Sequence, residues 1–211
     1  MLDQNLNFEH LWKIAAFVII ALVCQIYIYC VYGNIDITTW SYGNIGVSKW
    51  SRIFMFLGLT ADWINCAGFV YVWWVINKFN KLLPGKHQVK GISALFIIAL
   101  LLTVCYLIDM FVPDNDVLLV VIVLLAIVTL ILQFYVSVKM IKQWNVNTEN
   151  YAIQNTSFAK LGKCLLWYSI LSLLVVILSM LFDYSIFPLV LGNVIDIAFF
   201  GYMCVIAAGE S

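Results

Sequence analysis

Six long apolar runs divide the chain, at about 12–32, 53–76, 92–112, 117–138, 164–182 and 187–208. Each exceeds the roughly 18 residues that a helix needs to cross the hydrocarbon of a bilayer. The runs are continuous and apolar on every side, whereas barrel strands alternate over about ten residues. In lipid the backbone must satisfy its own polar groups, which leaves helices as the choice. The pattern predicts an all-α integral membrane protein, a bundle of about six transmembrane helices forming one polytopic domain over 1–211.

The breaks between runs sharpen the picture. Only Pro113-Asp114-Asn115-Asp116 separates the third and fourth runs, which predicts a tight helical hairpin. Asp183-Tyr184-Ser185 joins the fifth and sixth, and Pro188 falls in the first turn of the last helix, where its missing N–H costs nothing. Two longer connections remain: an aromatic segment at 33–52 and a polar segment at 139–163. A weak echo links Ile76-Asn77-Lys78-Phe79-Asn80 with Ile141-Lys142-Gln143-Trp144-Asn145, each leading through lysines and a glycine, Gly91 or Gly162, into a hairpin. An old duplication and the common use of lysine in inner loops both account for it.

Charge gives direction. Lysine and arginine gather in short cytoplasmic loops. Lys78, Lys81, Lys86 and Lys90 fall between the second and third runs, and Lys139, Lys142, Lys160 and Lys163 between the fourth and fifth; these are eight of the 11 basic residues. The alternate connections hold only Lys49 and Arg52, together with Asp36, Asp109, Asp114, Asp116 and Asp183. The expected topology is therefore N-in/C-in. It places 33–52 outside, where Trp40, Tyr42 and Trp50 form either an ordinary interfacial belt or a docking surface for an external ligand or partner. It places 139–163 inside, where Lys139, Lys142, Lys160 and Lys163 are candidates for contact with a cytoplasmic protein or with anionic lipid. Asn155-Thr156-Ser157 matches a glycosylation acceptor, but on the side where that modification does not occur.

Composition fits lipid as the solvent. Of 211 residues, 64% are apolar and 10% charged, against roughly 25% charged in soluble domains; mean hydropathy is +1.01. The net charge of zero offers no basic field for nucleic acid. The first run has Asp3 and Glu9 ahead of it and no small-residue cleavage site after it, unlike a secretory signal. Short loops and an uncleaved start point to a multi-pass protein of a cell membrane, in particular a bacterial inner membrane. The six cysteines, Cys24, Cys30, Cys66, Cys105, Cys164 and Cys204, all lie in apolar runs without C-x-x-C spacing and read as packing residues.

Four polar residues stand within the runs. Asp62 and Asn65 share one face of the second helix, Asn193 and Asp196 one face of the sixth. A charge at mid-membrane costs about 3 kcal/mol, so such groups face inward, find partners or take up a proton. Three readings are open: hydrogen bonds that fix helix packing, a path for protons or small cations, or an outward pair that binds a second subunit. Gln25, Gln133, Ser169, Ser172 and Ser179 are candidate donors to these four residues.

The motifs of hydrolases, nucleotide-binding loops and zinc proteases are missing from the sequence. His10 and His87 lack a carboxylate cluster, and the acidic turn Asp109, Asp114, Asp116 reads as solvated. The expectation is a non-enzymatic multi-pass membrane subunit with no cofactor and no metal. It would act as sensor, anchor or scaffold through self-assembly as a homo-oligomer or through a cytoplasmic protein partner, in settings such as bacterial envelope, immunity or defence complexes. The alternative is a small proton or cation channel or transporter using Asp62 and Asp196.

Overall fold

The computed structural model describes residues 8, 10–32, 49–82, 85, 88–112, 115–147, 156–181 and 186–208. Among these residues the protein is all helical, with six helices: α1 (Leu11–Tyr32), α2 (Lys49–Leu82), α3 (Ile92–Phe111), α4 (Asp116–Asn147), α5 (Thr156–Leu181) and α6 (Ile186–Ala208). Three of them are long and apolar enough to cross a membrane, through Ile92–Asp109, Asp116–Lys142 and Lys160–Leu181. Shorter apolar stretches occupy α1, at Leu11–Tyr27, and α6, at Val190–Val205.

The helices pack as a closed ring. Each touches its neighbours in chain order, and α6 returns to α1. Local chemistry sets the junctions. Asn115 caps α4 by accepting the Leu118 amide at 3.1 Å, and Asp116 in the first turn complements the helix dipole. Between α2 and α3, the Asn80 side chain accepts from the Val89 amide at 2.8 Å and donates to the Val89 carbonyl at 3.1 Å. Ser93 donates to the Asn77 side-chain oxygen at 2.8 Å. Gly91 adopts a left-handed φ of 102° and lets α3 start immediately behind this clamp. The two asparagines of the sequence echo are thus the bolt of the α2–α3 junction.

At 34 and 32 residues, α2 and α4 reach about 50 Å, well beyond a hydrocarbon core of about 30 Å. The 139–163 segment is accordingly largely helical: Lys139 and Lys142 lie on α4, and Lys160 and Lys163 on α5. Lys49 to Arg52 of the aromatic segment begin α2.

The best-packed core sits at one end of the ring. It joins Phe8 and Leu11 at the start of α1, Trp73, Ile76 and Phe79 late in α2, Ile92 and Leu95 early in α3, and Val136 and Met140 late in α4. Leu161 and Leu165 of α5 and Phe200 and Met203 of α6 complete it. Gly162 allows the closest approach there, since a Cβ on it would lie 3.0 Å from the Met140 Cβ and 3.3 Å from the Ser137 carbonyl. Lys13, Lys78, Lys81, Lys90, Lys139, Lys142, Lys160 and Lys163 all belong to this end, because α1, α3 and α5 start here and α2, α4 and α6 finish here. Exposed aromatics accompany them. Lys13 lies over Trp12, Lys78 over Trp74 and Lys139 over Tyr135, each ammonium 5.6 to 5.7 Å from the ring centre. Trp167 stands one turn from Lys163, also exposed. Amphipathic rings with snorkelling lysines are the signature of a membrane–water boundary.

The flanks are apolar and open. Leu119, Val120, Leu124, Ile127 and Ile131 of α4, and Leu173, Leu174 and Ile177 of α5, are exposed. A continuous surface of this kind belongs against lipid or another apolar partner.

Candidate functional site

The inward faces of α2 and α6 combine a few polar and small residues with large apolar ones. On α2 the face runs Asn65, Gly68, Phe69, Val72, Trp73, Ile76, and on α6 Asn193, Asp196, Phe199, Phe200, Met203; both follow the three-to-four spacing of a helical stripe. Gly68 lets α6 come close: a Cβ there would fall 2.8 Å from the Phe200 ring and 3.1 Å from Ile14.

Asp196 is the centre of the arrangement. Its carboxylate accepts the Tyr168 hydroxyl at 2.8 Å and the Asn65 amide at 3.0 Å, so one side chain ties α6 to α5 and to α2. The Tyr168 ring is held by Phe199 and Phe69, with centroids 4.4 and 5.0 Å away, and Phe69 stacks on Phe199 at 5.4 Å. One turn away, Asn193 donates to the side-chain oxygen of Gln25 at 3.2 Å and ties α6 to α1. All these groups face the interior. Asn65 is buried, and its side-chain oxygen receives no hydrogen bond, a loss that costs about 1–3 kcal/mol elsewhere in proteins.

Beside Tyr168 a cavity of about 170 Å³ lies between α2, α3, α4 and α5. Its wall is mostly apolar, with Trp73, Phe69, Ala99, Leu102, Ala126 and Leu130, and carries Thr103, Thr129, Ser169, Ser172, Gln133 and Cys66. Three of its hydroxyls are spent on their own helices: Thr103 donates to the Ala99 carbonyl, Thr129 to Leu125 and Ser169 to Leu165, at 2.7 to 2.8 Å. Gln133 is 5% exposed, and its carboxamide makes no hydrogen bond to another described residue.

The sequence-derived candidates fall in different places. Asn65, Asn193 and Asp196 come together inside the ring. Asp62 lies on α2, and its side chain is outside what the structure describes, as is that of Trp50; Trp40 and Tyr42 lie outside the described residues altogether. Lys139, Lys142, Lys160 and Lys163 are exposed at the packed end. Of the candidate partners, Gln25 pairs with Asn193, while Ser169 and Ser179 bond only their own helices. Tyr168 is the functional group that the sequence reasoning missed. Its signal was a phenol within an apolar run, with Ser172 one turn on.

The chain matches no family model, no curated protein and no solved structure.

Proposed function

We propose that this protein is a non-enzymatic multi-pass membrane subunit of six transmembrane helices, with both ends on the cytoplasmic side. In this reading it serves as sensor, anchor or scaffold, through self-assembly or a protein partner. One observation carries it: the costliest polar group, the Asp196 carboxylate, is held between Tyr168 and Asn65 and joins three helices. Polarity of this kind fixes the relative positions of helices, where lipid gives no hydrophobic drive for packing. The broad apolar flanks then remain for lipid and for a second copy or partner. The lysine-bearing end with its aromatic girdle supports the cytoplasmic assignment, and a bacterial inner membrane is the setting proposed.

The test is purification in mild detergent with mass measurement. A defined oligomer or a stoichiometric co-purifying protein is expected, and it should persist in Asp196→Asn, which keeps the side-chain shape and one of the two acceptor oxygens. A clean monomer without a partner overturns the reading.

The same carboxylate favours a second reading, a small proton or cation channel using Asp62 and Asp196, because Tyr168 links Asp196 to the wall of the interior cavity. It requires proton or cation flux in liposomes that Asp196→Asn abolishes while assembly persists. Absence of flux from the wild type removes it.

A further inference from the structure

We propose that the cavity between α2, α3, α4 and α5 is a binding site for a small, largely apolar molecule with one hydrogen-bonding group, of the size and polarity of a phenol. The inference stands on the cavity itself and does not depend on the subunit reading.

Size comes first. At about 170 Å³ the space is too small for a nucleotide or a drug-sized ligand, whose sites begin at about 300 Å³. An apolar cavity of about 150 Å³ holds one benzene ring. The space therefore takes a single ring with a substituent.

Polarity comes second. The wall is mainly hydrocarbon. The hydroxyls of Thr103, Thr129 and Ser169 are turned to carbonyls of their own helices, which leaves them no proton to offer. The remaining polarity of the wall comes from Ser172, Tyr168, Cys66 and Gln133, whose carboxamide belongs to a residue only 5% exposed. The Gln133 carboxamide can accept from a hydroxyl or donate to an oxygen, which favours an occupant with a hydrogen-bonding group over a pure hydrocarbon.

Position comes third. Tyr168 forms part of the cavity wall and also donates to Asp196. An occupant that presses on the phenol acts on the link between α5 and α6, so the site is placed to report occupancy to the helix that closes the ring.

The experiment uses the full chain in nanodiscs with two probes, 4-fluorophenol and fluorobenzene, read by fluorine NMR against empty nanodiscs of the same lipid. Saturable binding of 4-fluorophenol is expected, about fivefold tighter than fluorobenzene, the value of one neutral hydrogen bond. Gln133→Leu should bring the two probes to equal affinity without abolishing binding. Ala126→Phe, which fills the space, should abolish both, with retained thermal unfolding showing that it folds; Ser172→Leu is the second filler if it does not. Binding no greater than partition into empty nanodiscs overturns the proposal. So does unchanged binding in a folded filler variant, an undiminished phenol preference in Gln133→Leu, or a lipid chain held in the cavity that neither probe displaces.

Discussion

At the scale of single residues, what distinguishes this interior is where hydrogen bonds are missing as much as where they are made. Tyr168→Phe removes a donor to Asp196 and leaves the aromatic packing in place. A loss of about 0.6–1.7 kcal/mol is expected, measured by thermal or denaturant unfolding in detergent. Asn65→Leu also removes a donor to Asp196, but with it the buried oxygen that has no partner. Its cost should be smaller than that of Tyr168→Phe, and the reverse order would mean that the orphaned oxygen carries no penalty. The sequence made the polar members of this site legible, because an asparagine or aspartate in a greasy run is conspicuous. It also named Gln25, but as a donor, whereas the Gln25 side-chain oxygen accepts from Asn193. Tyr168 stayed hidden because tyrosine is ordinary in membrane helices, and only the convergence of α5 on Asp196 gives it a role.

At the scale of helices, close approach depends on two kinds of position. Gly162 seats α5 on α4 at a point where its neighbours are a Cβ and a backbone carbonyl, neither able to swing aside. Gly162→Val should therefore cost about 1–3 kcal/mol as the two helices part, read as a lower unfolding midpoint. Asn80 serves the α2–α3 junction by satisfying both backbone groups of Val89 in a buried place. Asn80→Ala strands both, and about 2 kcal/mol or more is expected, with faster amide exchange at Val89 as the local readout. The apolar runs were legible as spans, since length and hydropathy are set residue by residue. Which side of each helix turns inward was not, because lipid and core are equally apolar. The interior is marked instead by Gly, Ala, Ser, Asn and Gln, as at Ala99, Gly68, Ser169 and Gln133. The continuation of α4 and α5 into 139–163 escaped for a related reason: the polar residues there end the hydropathy signal without ending the helix.

At the scale of the whole molecule, the described lysines other than Lys49 converge on the well-packed end because alternate helices begin and finish there. Reporter fusions after Gln88 and after Asn150 are expected to read cytoplasmic, and a periplasmic signal from both would invert the bundle. The expectation rests on the sequence rule for basic loops; the fold adds that these loops lie at one end. Ring closure has a consequence for how the protein is made. Asn193 and Gln25 are 168 positions apart, and Cys204 lies 3.7 Å from the Phe8 carbonyl. The contact between Asn193 and Gln25 therefore forms only after α6 has been made, so the α1–α6 seam closes no earlier than the synthesis of Ile186–Ala208. A nascent chain arrested before Ile186 would hold α1 at an unfinished seam, exposed to quality-control proteases that the completed chain evades.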